Sequence, residues 1–225
     1  MPAEEPAQDE PKLWELRAAW RAFQRSKEGR RGRNPAQQIV DAAWELVEQQ
    51  DDFTVKDVAK RANVALQTFY RHFGSKDELL LAMMEENIGR GSSAIAEAAL
   101  QAGDPQARLR QLIEQAILGI DDDSEEAALR RRRLQWSARE RQRLSQRFPV
   151  EVDAVHEGYR IAVLEALEAA VAAGAAKVDD PVLTANVIQH LVMTMVHLVA
   201  SGGVEASSDD VAEAVVDLVW RGVRA

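Results

Sequence analysis

The 225-residue sequence predicts an all-α fold, with an N-terminal three-helix helix-turn-helix unit followed by a larger C-terminal helical domain. Three observations carry this. Apolar residues recur at helical spacing in almost every segment after residue 34, cap signals mark successive helix starts, and strand-like alternation is scarce. With 46% hydrophobic residues the chain can bury a substantial core. It has no cysteine, which excludes disulfides, thiolate catalysis and cysteine-based zinc sites. The four histidines, His72, His156, His190 and His197, show no paired metal-binding spacing, and Asp153 with His156 makes only half a site. No metal or cofactor is expected. The acidic, Pro-rich start "MPAEEPAQDEPK" lacks the character of a secretory signal, and the apolar run "LVMTMVHLVA" is too short to span a bilayer. A soluble cytoplasmic protein is expected.

Taken in order, residues 1–33 form an extension. Leu13, Leu16, Trp20 and Phe23 predict an amphipathic helix, followed by the basic stretch "EGRRGR". Residues 11–33 hold eight basic and two acidic residues, whereas the part after residue 80 holds 15 basic and 23 acidic residues, so the overall charge of −9 hides a basic end. Asn34 as N-cap, Pro35 at the first helical position and Gln37 at the third start the next helix, whose apolar stripe is Ile39, Ala43, Leu46 and Val47. Thr54 caps a short helix over "VKDVAKRA", and Asn63 supplies the left-handed turn that ends it. A third helix of about eight residues begins at Leu66 and is roughly 12 Å long, similar to the width of a major groove. Leu66, Phe69 and Phe73 anchor it in the core, which leaves Gln67, Tyr70 and Arg71 outward, flanked by Thr68 and His72. "SKDE" at 75–78 is a capping box for a long fourth helix, in which Gly89 and Gly91 predict a bend or break.

The stretch "FTVKDVAKRANVALQTFYRHFGSKDELLLAMM" resembles the DNA-binding signature of the TetR (tetracycline-repressor) family of bacterial transcriptional regulators. The resemblance covers about residues 35–84. It implies that Gln67 and Arg71 read base edges, and that Thr68, Tyr70, His72 and Lys76 touch phosphate or sugar; Thr54 is carried with this DNA-binding set. Two positions depart from the family pattern. Asn63 stands for the usual turn glycine, and Ala65 stands for the usual Ser or Thr, losing an N-cap and a phosphate donor. Arg30, Arg31 and Arg33 lie outside the resemblance. They either extend the DNA footprint through a minor groove or form a solvated linker.

Beyond residue 80 the sequence says less. Asp104 with Pro105 starts one helix, "DDDSEE" caps another containing "RRRRLQW", and Pro149 opens a long one stopped by Gly174. The last two helices carry more apolar surface than one inward face needs. In the family the resemblance implies that this pair forms a dimer interface, for which the candidate face is Val187, Leu191, Met195 and Leu198 with Val211, Val215, Leu218 and Val219. Asn186, His190, Met193, Thr194 and His197 make a polar stripe that either lines an effector pocket or is satisfied within an interface; Trp136, His156 and Tyr159 are further pocket candidates. Arg130 to Arg133 cover every azimuth of their helix, so one or two can face inward and hold an acid. The domain division is 1–33, 34–80 and 81–225. The function expected is a ligand-responsive transcriptional regulator, a repressor in its simplest form, that binds a quasi-palindromic operator as a homodimer and is modulated by a small molecule in the C-terminal domain. The alternative is a helical-bundle enzyme or an interaction protein without DNA binding, but no nucleophile–base pair, phosphate loop or metal constellation supports catalysis.

Overall fold

A computed structural model of the chain describes residues 35–50, 52–118 and 124–224. The extension helix, Arg30, Arg31, Arg33 and the cap Asn34 lie outside the described residues. Ten helices and no strand occur among those described: α1 (Pro35–Gln49), α2 (Val55–Arg61), α3 (Leu66–His72), α4 (Lys76–Ala99), α5 (Pro105–Leu118), α6 (Glu125–Leu144), α7 (Pro149–Ala154), α8 (Glu157–Ala172), α9 (Pro181–Ala200) and α10 (Ser208–Val223).

Pro35 opens α1, and the expected stripe of Ile39, Ala43, Leu46 and Val47 is buried together with Trp44. The Gln37 side-chain amide bridges two helices. It donates to Asp41 at 2.9 Å and to Glu86 of α4 at 2.6 Å, tying the two helices together. At α2 the box is complete: Thr54 Oγ1 accepts from the Asp57 amide at 3.3 Å, and the Asp57 carboxylate accepts from the Thr54 amide at 2.8 Å. Arg61 then donates to Glu45 at 3.1 Å and Gln49 at 2.7 Å, holding α2 against α1.

The turn between α2 and α3 is a Schellman motif. Asn63 sits at φ 53°, its amide donates to the Lys60 carbonyl at 3.2 Å, and the Val64 amide donates to the Ala59 carbonyl at 3.0 Å. Ala65 caps α3 with no side-chain bond. Phe69 is fully buried and Phe73 nearly so, but Leu66 is 39% exposed, so it is not the anchor that its spacing suggests. Val64, two residues earlier, packs against the core instead. At α4 the Ser75 hydroxyl accepts from the Glu78 amide at 3.2 Å, while the Glu78 carboxylate accepts from Gly74 at 2.8 Å rather than from Ser75. A Cβ on Gly74 would lie 2.9 Å from that carboxylate, the flexible end of an exposed side chain. The break expected at Gly89 and Gly91 does not occur: α4 runs unbroken from Lys76 to Ala99. Packing against α1, α5, α6 and α8 offsets the propensity cost of about 1 kcal/mol per glycine.

In the C-terminal part α5 is central, packed by α4, α8, α9 and α10. The single long helix expected after Pro149 is in fact two, α7 and α8, divided at Val155 and His156, where the His156 amide bonds the Asp153 carbonyl three residues back. The face assigned to α10 also needs correction. Val211, Val215 and Val219 are buried against the subunit's own core, and Leu218, 63% exposed, lies on the opposite side. On α9 the outward apolar residues are Val182, Leu183 and Val187. One cluster contains α1 to α4 side chains together with Trp136, Leu144, Val152 and Val155, so the helix-turn-helix and the following helices share a continuous core.

Candidate functional site

The helix-turn-helix positions its third helix by burying one edge. Phe69 packs edge-on to Tyr70 with centroids 5.4 Å apart and tilts against Phe73 at 5.8 Å. Gln67, Arg71 and His72 are thereby exposed, Tyr70 is 52% exposed, and Thr68 is half-buried. Arg71 and His72 make no ion pair among the described residues, so their donors are uncommitted. Thr54 is exposed, though its hydroxyl is engaged with Asp57 at 2.6 Å. Lys76 pairs with Asp52 at 2.6 Å and lies 4.7 Å from the centre of the Phe53 ring. The Lys76 hydrogen bond, with the Phe53 amide, holds the Asp52 carboxyl below its usual range. The surface can donate to base edges through Gln67 and Arg71 and to phosphates through the rest.

Two contacts tie this unit to α6, and neither was apparent from sequence. The buried carboxylate of Asp77, in the first turn of α4, accepts from Arg143 at 2.8 Å and also from Arg147. In the middle of α6, Arg133 pairs with Glu48 at 2.7 Å and covers the Trp44 ring at 4.9 Å, while Arg132 donates to the Glu48 carbonyl. Trp136 meets Trp44 edge-on at 5.0 Å. The acid held by the arginine run is therefore Glu48 of α1. Trp136 is a core residue at this junction, not the pocket wall proposed for it.

The remaining pocket candidates separate. Tyr159 is fully buried and its hydroxyl donates to the Leu112 carbonyl at 3.0 Å; burial pushes the phenol up, and it is a satisfied core side chain. Asn186 accepts from Arg160 at 3.3 Å, His190 Nδ1 lies 2.8 Å from the Asn186 carbonyl, and Thr194 donates to the His190 carbonyl at 2.8 Å, so much of the polar stripe is satisfied locally. Met193 is half-buried and lines neither of the clefts described next. His197 does line both. A trough of about 840 Å³ lies between the end of α1, α6 and α9, bordered by Glu48, Arg132, Gln135, Arg139, Thr194 and His197. A cleft of about 480 Å³ adjoins it at Ala138 and His197 and is lined by Arg141, Gln142, Ser145, Val152 and Asp153. His156 is 3% exposed and neither ring nitrogen has a hydrogen-bond partner. Leaving such a group unsatisfied costs about 1–3 kcal/mol. Burial first, then Arg141, His197 and His190, depress its pKa to about 3, with Asp153 opposing. Burial and Arg141 also lower that of His197. Asp153 bonds Arg160 at 3.3 Å, and no metal-binding cluster occurs among the described residues.

Residues 39–83 match the family model for bacterial regulatory proteins of the tetR family, and residues 109–221 match that for the C-terminal domain of AefR-like transcriptional repressors. An uncharacterized HTH-type transcriptional regulator from the dhlA 5′ region of Xanthobacter autotrophicus is 35% identical over 85 residues. That match covers 36% of this chain and 42% of the relative, less than half its length. Among solved structures, FadR from Bacillus subtilis, in complex with stearoyl-CoA, superposes with a TM-score of 0.63 at 20% identity, over 84% of this chain and 99% of that one. FadR from Bacillus halodurans gives a TM-score of 0.65 at 20% identity, over 85% and 97%. At such identities these two structures establish similarity of fold.

Because the folded pKa of His156, about 3, lies below its ordinary 6.5, the unfolded chain takes up the proton first as pH falls. The stability this histidine allows is therefore complete above pH 6.5 and is lost toward pH 3. Denaturant unfolding at pH 7 and pH 5 is expected to show a loss of about 2 kcal/mol that His156→Leu removes. An unaltered pH dependence in that variant would place the titration elsewhere.

Proposed function

The chain belongs to the TetR family of bacterial regulatory proteins, and from that premise we propose that it is a ligand-responsive transcriptional regulator, a dimeric repressor reading a quasi-palindromic operator with the outer face of α3. The observation that carries this reading is the exposure of Tyr70 and Arg71 on a helix whose Phe69 is fully buried. Gln67 and Arg71 contact base edges; Thr68, Tyr70 and His72 contact the backbone, with Thr54 at the edge of the footprint. Lys76 reaches phosphate by exchanging Asp52 for it, a swap that conserves its charge pairing. Arg30, Arg31 and Arg33 extend the footprint along the neighbouring groove. The description of the matched C-terminal family supports repression as the sign of regulation. Membership of a regulator family decides against the helical-bundle enzyme.

The functional division is 34–80 for DNA reading and 81–225 for effector binding and dimerisation, in a cytoplasmic protein. The second subunit covers the outward face of α9 and α10. Val182, Leu183, Val187 and Leu218 are between 44% and 63% exposed, and only 28% of the most apolar stretch of α9 is buried within the subunit. That helix is long and apolar enough to cross a membrane by length and composition alone. In a soluble regulator such surface calls for a partner, and a two-fold contact between copies of this chain places two reading helices about one DNA turn apart. The small-molecule effector binds where His197 lines the two adjoining clefts.

Arg71→Ala is expected to weaken binding to the operator by about 1–3 kcal/mol and to cost less on random DNA. Fluorescence anisotropy on both duplexes measures the difference, and equal losses would make Arg71 a phosphate contact only. Leu218→Glu is expected to convert the dimer to monomer in sedimentation and to lower operator affinity at least tenfold, since a monomer reads one half-site. A dimer that survives this change would move the interface off α10.

A further inference from the structure

The second cleft, between α6, α7 and α9, holds a charge that the protein does not balance. Around it Arg160 is neutralised by Asp153 and Glu157. Arg143 and Arg147 are committed to Asp77, and Arg132 and Arg133 to Glu48. Arg141 has no ion pair among the described residues, yet it lines the concave surface beside His197. The same region concentrates polar atoms without partners. Both ring nitrogens of His156 are buried and unbonded, and so is the hydroxyl of Ser137, one turn before Arg141 on α6. An uncompensated guanidinium in a cleft suits a planar or tetrahedral acid group, which accepts several of its donors at once.

We propose that this cleft binds the acid group of an organic anion, a carboxylate or phosphate monoester, through Arg141, with His197 as a hydrogen-bonding partner. The inference rests on the regulator reading above and names the effector's class and its anchor. The apolar body of the ligand lies against Ala138, Pro149 and Val152 and extends at Ala138 and His197 into the larger trough. An incoming anion reverses the electrostatics of the imidazoles. The titratable groups that act on them are Arg141 from α6, Asp153 from α7 and His190 from α9. Adding a negative charge among these offsets Arg141, whose charge disfavours protonation of both imidazoles. The route outward is short: Arg141 stands two residues from Arg143, and a ligand that draws in this end of α6 pulls on the clamp at Asp77.

The test uses the full chain, with octanoate and inorganic phosphate as probes, followed by calorimetry and by the ¹⁵N resonances of the imidazole nitrogens. At least one probe is expected to bind, to shift the His197 ring resonances, and to lose at least tenfold in affinity in Arg141→Met, with partial recovery in Arg141→Lys. Octanoate alone binding identifies a carboxylate, and phosphate alone a phosphate head. Binding that Arg141→Met leaves unchanged, unmoved His197 resonances in the unmodified protein, or no binding of either probe overturns the site. The resonance measurement needs no variant and stands if Arg141→Met fails to fold. Operator binding is measured in parallel: a protein that binds acid through Arg141 but never binds DNA keeps this site and sinks the regulator reading.

Discussion

The Asp77 carboxylate, buried in the first turn of α4 and gripped by Arg143 from the last turn of α6 and Arg147 from the turn that follows it, is the constraint on which the coupling of the two halves depends. Its position is favourable in itself, since an acidic group complements the partial positive charge at a helix N-terminus. Arg143 is half exposed and Arg147 more so, which screens the pairs and limits their worth to about 1 kcal/mol or less each. The clamp thus adds little to stability. Its consequence is register, because the residue before Asp77 is Lys76, and the turn that carries both follows directly on α3. A second tie at Glu48 and the Trp44–Trp136 contact engage the other part of α6, so the reading unit is held to that helix at two separated points.

This arrangement suits a switch. An effector changes operator affinity only by its difference in affinity for two arrangements of the subunit, and a coupling of 1–3 kcal/mol is typical. A clamp of modest energy lies within reach of such a ligand, whereas a deeply buried ion pair would resist it. The continuous core running from α1 to Val155 argues for the same conclusion. A shift of α6 cannot be absorbed at a soft boundary between domains, because the helix-turn-helix has no core separate from that of α6 and α7. The histidines beside the cleft are held neutral by burial and by Arg141, so the region is poised to respond to negative charge.

The helix-turn-helix was legible in the sequence because its signals are local. The Thr54 capping box, Asn63 at positive φ and the buried Phe69 beside an exposed Tyr70 follow from residues at most four apart. Where local signals compete with packing, the reading failed. Leu66 has the right spacing but lies outside the core that Val64 fills, and the two glycines of α4 do not interrupt a helix supported by four others. On α10 the valines and Leu218 are both apolar, and which side faces inward was decided by α5, a helix roughly a hundred residues earlier in the chain. The clamp was illegible for the same reason: Asp77 and its arginines are 66 and 70 residues apart, and nothing in either segment alone points to the other. The split at Val155 and His156 breaks a stretch with a continuous helical pattern, and only the tertiary structure shows a buried, unbonded imidazole there.

The chain has no cysteine, so a single one placed at the exposed Lys60 of α2 gives one spin label per subunit without further changes. Pulsed electron–electron resonance between the two labels of the dimer reads the separation of the DNA-reading units directly. The account predicts a narrow distance distribution in the parent protein that broadens or shifts by several ångströms when Asp77→Asn removes the charge held by Arg143 and Arg147, with helix content unchanged. Identical distributions in the two proteins would show that the clamp does not set the position of the reading helices, and would contradict the coupling described here.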